Sequence, residues 1–480
     1  MPAPHRAAGP PTILAPIDAR SSGDGYSHSR LGAPGRRKGH TDDPQAKARD
    51  STVLSRSRGC DRWAPCRAGR DDESVPSGSA AISLLNGDPA AEASLIGLDA
   101  TPLGSGHAIR GIGRYVHGVI EALFREEPEW CLDHLGLLCL SGPAAAGCPT
   151  SKARATWTRS SPRFRSQDIG WAWAAVADRA ALRHRQPAIW HQTDPASPIS
   201  PLSMRRTLTT AYDLIPLHEP EVMARIRPHR RLAYRLYLRY LRRARMAVAI
   251  SETTADDLVE TLRIPRSRIR VVYPLVEPLA GPSRDRVAGE SRVESRGAGP
   301  SFLFVGIPDP HKRPDLAIAA FARFWAGQHD GRLTFIGYQP EVIRRRLLHQ
   351  AESLGIARAV QFADRVDDGT LARMYESGVL LSLSRREGFG LPPVEALLTG
   401  GRAVAVPGAI YDEVLGDAGV RAESDRPDSI AQAMLLACDT KPDPAAVERL
   451  RIRYSPRATS AALRKAYDEA LGWNEASSDE

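Results

Sequence analysis

The chain has 480 residues, 42% of them hydrophobic, and a formal net charge of +9. That length exceeds one ordinary core and supplies enough apolar material for two domains. The basic excess is arginine spread along the chain, not one patch, which argues against a nucleic-acid partner. Six cysteines (Cys60, Cys66, Cys131, Cys139, Cys148 and Cys438) show no pairing or zinc-ligand rhythm, so a reduced, cytoplasmic setting is expected. No run approaches the ~20 apolar residues of a spanning helix, and Met1 opens no signal pattern, so the chain reads as soluble or at most peripheral.

Residues 1–93 are rich in Ser, Gly, Pro, Ala and Arg and hold no sustained apolar period. Such a stretch buries too little to offset its ordering entropy. It reads as a disordered extension, or as the product of a start codon placed too far upstream. From Ser94 the pattern changes. "SLIGLDATPL" predicts a buried parallel strand ending at Asp99, and the glycine-bearing "GSGHAIRGIGRYVHGVIEAL" predicts a loop running into a helix. "LDHLGLLCL" (Leu132–Leu140), "AIWHQT", "LTTAYDLIPL" and "MAVAIS" predict further strands. Ser251 followed by Thr254 and acidic residues predicts a capped helix over Ser251–Leu262.

Residues 278–300 have linker chemistry, and the alternation restarts at 301. "SFLFVG", "RLTFIG", "AVQFA", "VLLSLS" and "RAVAVP" predict strands separated by helices up to residue 455. Pro456–Trp473 predicts a closing amphipathic helix within 456–474, and 475–480 is a tail. Strand and helix alternating twice, over 94–277 and 301–455, predict two α/β doubly wound domains facing across a cleft, with ligands at the carboxyl ends of the strands.

"SRREGFGLPPVEAL" (Ser384–Leu397) falls where a strand ends and a helix begins, which is where such a sheet opens its crevice. Glycines let a ligand approach the backbone, prolines suit the first helical turn, and N–H groups at a helix start attract phosphate. Glu395 leans back toward the helix start. Its carboxylate suits the two hydroxyls of a ribose, and Glu387 suits the hydroxyls of a sugar. A plain structural turn is the alternative at this stage.

Glu387 and Glu395 around GFGLPP resemble the E-x7-E motif of the retaining group 1 (family 4) glycosyltransferases, which have the GT-B fold. "RGIGRY" (Arg110–Tyr115), "YDLIPL", "AISETTADDL", "FLFVG" with "PHK" (Pro310–Lys312), and "LARMYESG" match in the family's order across about 95–474. The resemblance implies a bacterial mannosyltransferase-like hexosyltransferase that uses a GDP- or UDP-linked sugar and extends a glycan or a lipid-linked acceptor of a surface polysaccharide. It implies that Glu395 binds the ribose, that Glu387 holds the transferred sugar, and that Gly388, Phe389, Gly390 and Leu391 meet sugar and diphosphate through their backbone. Lys312 would pair with the diphosphate, with Gly306, His311 and Ser384 beside it, and Arg365 and Val366 would line the base pocket. Tyr212 would serve as a catalytic-side contact, and Gly111 and Gly113 would form the loop closing over phosphates or acceptor. No cofactor is implied, and no Asp-x-Asp pair occurs, so Lys312 and a helix start are expected to take the place of a metal.

Three departures stand out. Tyr212 occupies a position the family often gives to histidine. Ile307 and His311 stand where an arginine commonly accompanies the diphosphate lysine, and Asp364 replaces a glycine of the base pocket. They leave open a non-catalytic nucleotide-sugar-binding assembly subunit as the alternative. "ARIRPHRRLAYRLYLRYLRRAR" (Ala224–Arg245) has nine arginines and no acid; it reads as a solvated helix face, with a peripheral contact to an anionic membrane as the alternative. Trp171 and Trp173 read as core anchors, and His191 as the best placed of His107, His117 and His191 to face the cleft.

Overall fold

The computed structural model describes residues 94–105, 108, 111–140, 152–159, 170–182, 186–195, 199–279 and 299–476. The expected extension over 1–93, residues 280–298 of the expected linker, His107, Arg110, and the side chains of Trp171 and Trp173 lie outside the described residues.

The first sheet is parallel and runs in the order β3-β2-β1-β4-β5-β6-β7. Its elements follow the chain as β1 (Ile96–Asp99), α1 (Gly111–Glu126), α2 (Pro128–His134), β2 (Leu135–Leu140), β3 (Ala155–Arg159), α3 (Gly170–Ala181), β4 (Ile189–Gln192), β5 (Thr207–Ala211), α4 (Ile215–His218), α5 (Pro220–Arg225), α6 (Pro228–Arg243), β6 (Met246–Ala249), α7 (Glu252–Leu262) and β7 (Ile269–Val271). The central strands are buried along their whole length, as strands covered on both faces must be. Ser251 caps α7 as expected, its side chain accepting from the Thr254 amide. The apolar run at Leu132–Leu140 divides differently from the expectation: Leu132–His134 close α2, and the strand begins only at Leu135. An apolar run alone does not separate a helix end from a strand.

The second sheet, also parallel, runs β10-β9-β8-β11-β12-β13. It comprises β8 (Ser301–Val305), α8 (Pro314–Gln328), β9 (Arg332–Ile336), α9 (Glu341–Ser353), β10 (Val360–Ala363), α10 (Asp368–Ser377), β11 (Gly378–Ser382), α11 (Leu391–Leu398), β12 (Arg402–Ala405), α12 (Ala409–Leu415), β13 (Val420–Arg421), α13 (Pro427–Asp439) and α14 (Pro444–Arg453). Phe302 on β8 packs edge-on against Phe321 and Phe324 of α8, with ring centroids 5.9 and 4.7 Å apart. Burying each such side chain contributes about 1.5–3 kcal/mol.

The last helix, α15 (Pro456–Ala476), leaves the second lobe and packs on α1 of the first. Tyr467 of α15 stacks on Trp130 at 6.0 Å, and its hydroxyl lies 2.8 Å from His191 Nδ1. His191 is fully buried, and its Nε2 lies 2.9 Å from Thr210 Oγ1. Both ring nitrogens are therefore engaged, and His191 ties α15 to the first sheet instead of facing the cleft. Cys139 on β2 is disulfide-bonded, against the expectation of reduced thiols, while Cys131 and Cys438 are free. Spacing along a chain carries no record of which thiols the fold brings together.

Candidate active site

In each sheet the strand order reverses once, between β1 and β4 in the first and between β8 and β11 in the second. A crevice opens outside the strand ends at such a point. In the second lobe a small hollow lies there, floored by the ends of β8 and β11 and lined by Lys312, Ser384, Glu387, Gly390, Pro392 and Pro393.

Lys312 ends a tight turn, Pro310–Lys312, that follows β8. Its Nζ lies 3.4 Å from Glu387 Oε1, which also accepts from Ser384 Oγ at 2.7 Å. Burial alone would raise the Glu387 carboxyl, but Lys312, the Ser384 hydroxyl and His311 together hold it below its ordinary value. Burial, and Lys312 beside it, depress His311, whose Nδ1 is buried without a partner among the described residues. Neutral histidine next to a charged lysine keeps one positive charge at this spot. Gly306 turns the chain toward the same place, and a Cβ there would stand 3.7 Å from Lys312 Nζ.

The first turn of α11 starts at Gly390, which takes a left-handed conformation at φ 82°. Pro392 and Pro393 follow in the next positions and carry no N–H, so this helix start offers fewer amides to an anion than an ordinary one. Side-chain cations matter correspondingly more. Phe389 turns its ring away from the crevice, edge-on to Tyr454 at 5.0 Å and tilted against Tyr273 at 6.3 Å.

The first lobe closes directly onto this loop. Gly388 O accepts from Ser251 Oγ at 2.7 Å and from Thr254 Oγ1 at 3.3 Å. A Cβ on Gly388 would stand 1.9 Å from the Tyr212 carbonyl oxygen, so only glycine permits the approach. Tyr212 donates its hydroxyl to the Thr193 carbonyl at 2.8 Å and packs edge-on to Tyr115; its ring and hydroxyl are thus engaged within the first lobe. The next residue, Asp213, accepts from the Ile215 amide at 3.0 Å. Burial, and then Glu387 and Asp257 nearby, push its carboxyl up to about 6, with Lys312 opposing. Asp213 is therefore a first-lobe carboxylate within electrostatic reach of Lys312 and Glu387.

Two more contacts cross between the lobes. Glu413 on α12 accepts from the amides of Glu252 and Thr253 at 2.6 and 2.8 Å and from Thr253 Oγ1 at 2.6 Å, capping the start of α7. Arg114 on α1 pairs with Glu395 Oε1. Glu395 does not line the hollow and lies one turn further along α11. Gly111 and Gly113 sit at the start of α1, where a Cβ on Gly111 would meet nothing within 4 Å. Arg365 is exposed after β10, and Val366 packs on the core of that lobe. Arg114, Asp213 and Glu413 escaped the sequence reading, although the first two lie inside quoted motifs.

Two parallel doubly wound lobes with this crevice define the GT-B class of fold. The model of the group 1 glycosyltransferases matches residues 290–450, and that of glycosyltransferase family 4 matches 109–278. The two matched segments fall one in each lobe, so each lobe resembles a glycosyltransferase domain. It is 34% identical over 166 residues to the D-inositol 3-phosphate glycosyltransferase of Acidothermus cellulolyticus, covering 32% of this chain and 36% of that protein. It is 28% identical to that of Corynebacterium glutamicum over 45% of this chain and 55% of that one. A serotype-specific mannosyltransferase, WbdA of Escherichia coli, matches at 30% over 22% of this chain and 13% of its own length. The matches thus span about half or less of these relatives. Among solved structures, a sucrose-phosphate synthase from Thermosynechococcus elongatus aligns with TM-score 0.60 at 17% identity over 79% of this chain and 99% of that one. Anabaena HepE, solved with UDP and glucose, aligns at 0.55 and 12% identity over 78% and 100%. Likenesses at this identity speak for the fold.

Proposed function

We propose that the chain transfers a hexose, mannose or a close relative, from a nucleoside diphosphate sugar to a glycan or lipid-linked acceptor, with retention and without a metal. The observation that carries this reading is Lys312 at 3.4 Å from Glu387 in the hollow at the start of α11. Breaking the sugar–phosphate bond leaves charge on the diphosphate, and a fixed cation there contributes ~1.5–3 kcal/mol per charge-assisted contact. The second lobe is the donor side, and the first, from 94 to 277, is the acceptor side. Gly306, the backbone of Gly388–Leu391, and Ser384 would shape the sugar and phosphate pocket, and Arg365 and Val366 the base pocket.

Glu387 is spoken for by Lys312 and Ser384. It suits holding sugar hydroxyls and is not assigned as a nucleophile. The leaving phosphate would take the acceptor's proton as the acceptor enters on the same face. No helix among the described residues is long and apolar enough to cross a membrane. Arg235, Arg239, Arg242 and Arg243 form an exposed stripe on α6, which suits a peripheral contact with an anionic membrane presenting the acceptor. The test is a thermal-shift screen against UDP, GDP, ADP and their hexose conjugates. The true donor raises the melting temperature by mass action, and no shift with any of them removes the reading.

A further inference from the structure

Glu395 is only 2% exposed, and Arg114 reaches it from the opposite lobe. A carboxylate removed from water is tolerated when a cation stands in for the lost solvent. That cation belongs to α1, and it meets α11 only while the lobes are together. The same closure brings Ser251 and Thr254 onto Gly388 and Glu413 onto the start of α7. Nearby on α10, Tyr375 is fully buried, and its hydroxyl has no partner among the described residues. It lies within electrostatic reach of both Arg114 and Asp368. A buried carboxylate and a guanidinium thus meet between α1 and α11, with the unsatisfied Tyr375 hydroxyl within electrostatic reach of the guanidinium. An unsatisfied buried hydroxyl is costly and points to a polar ligand.

We infer that Arg114 is a positioning residue for the donor's ribose: it fixes the Glu395 carboxylate from across the cleft, so the diol site is complete only in the closed molecule. The inference rests on the proposed nucleotide-sugar reading, in which Glu395 takes the ribose. A carboxylate accepts at about four positions, and Arg114 engages Oε1, leaving acceptor capacity for two vicinal hydroxyls. Ribose binding and lobe closure then favour each other by the same coupling free energy. Arginine suits the task because its planar fork holds a carboxylate in one orientation, which a lysine does less well.

The test compares UDP and GDP, each with its 2′,3′-dideoxy form, by calorimetric titration of the full chain, its Arg114→Ala variant and its Arg114→Lys variant. The wild type should prefer the ribose form by about tenfold or more, as expected for hydrogen bonds to a charged group. Arg114→Ala should bring that preference to within about twofold, and Arg114→Lys should restore part of it. In turnover, donor KM should rise with kcat far less affected. A wild-type preference retained in Arg114→Ala overturns the inference and leaves the donor reading standing, since a merely structural arginine would weaken both forms equally. Tighter binding of UDP or GDP by Arg114→Ala overturns it too, because Arg114 would then be an occupant of the site. If Arg114→Ala melts early, the preference measured in Arg114→Lys decides: an undiminished value counts against the inference. Failure of the wild type to bind either diphosphate condemns the donor reading itself.

Discussion

The two lobes build their shares of the cleft in opposite ways. In the second lobe, Ser384, Glu387 and Gly390 come from one short loop, and Lys312 from one turn after the neighbouring strand. The first lobe contributes contacts whose meaning lies entirely in the partner: Tyr212 through its carbonyl against Gly388, Ser251 and Thr254 through hydroxyls on the same glycine, and Arg114 through Glu395. The second lobe's share is a local motif, whereas the first lobe's share is a docking surface for that motif. Under the proposed function, the second lobe would hold the donor and the first would complete the site.

The largest expected effect separates chemistry from docking. Glu387→Ala should cut transfer by at least about a hundredfold, the scale of losing a group that contacts the reacting sugar, with the melting temperature within a few degrees of wild type. Activity close to wild type would remove Glu387 from the donor side. Gly388→Ala attacks the docking instead. Its Cβ would overlap the Tyr212 carbonyl, so the lobes must move apart, at a cost of about 1–3 kcal/mol typical of overpacking. Small-angle scattering should report a larger radius of gyration and assays a reduced rate; an unchanged radius and rate would mean that the lobes need no such contact.

Glu413→Ala is a milder version of the same test. It frees the Glu252 and Thr253 amides at the start of α7, where Ser251 still caps, and should cost about 1–2 kcal/mol, seen as a lower melting temperature and a higher donor KM. A variant indistinguishable from wild type in both would show the clasp to be incidental. The smallest effect concerns pH. Burial pushes His191 down to about 3, whereas in the unfolded chain it titrates near 6.5. Below about pH 6.5 the unfolded chain therefore binds a proton that the folded chain refuses until near pH 3. His191 lowers stability progressively across that window, by up to about 1.4 kcal/mol per unit. His191→Gln should be less stable at pH 8 but lose stability more slowly between pH 6 and 4, measured as the difference in denaturation midpoints. A parallel decline in both proteins would contradict the assignment.

What the sequence made legible follows the same division. Buried parallel strands such as "SFLFV" and "VLLS" announce themselves as apolar runs between turn signals, and the loop after β11 carries its glycines, prolines and acids in one stretch. β3 was hidden because "ATWTR" is an edge strand with its threonines exposed, so half its residues look like loop. Arg114 and Asp213 lay in quoted motifs without a role, since an arginine after two glycines or an aspartate in "YDLIPL" has meaning only beside Glu395 or the Lys312–Glu387 pair. Glu413 is one acid among many until it meets the open end of a helix more than a hundred residues away. Tyr212 shows the reverse: chosen as a histidine's replacement, it meets the second lobe through its backbone.

The central claim is that Lys312 and the start of α11 hold a diphosphate leaving group. Calorimetric titration of UDP and GDP into wild type and Lys312→Ala tests it most directly. A loss of roughly 10–100-fold in affinity for the better nucleotide, from one charge-assisted contact, is the predicted result. Equal affinity in the two proteins would contradict it.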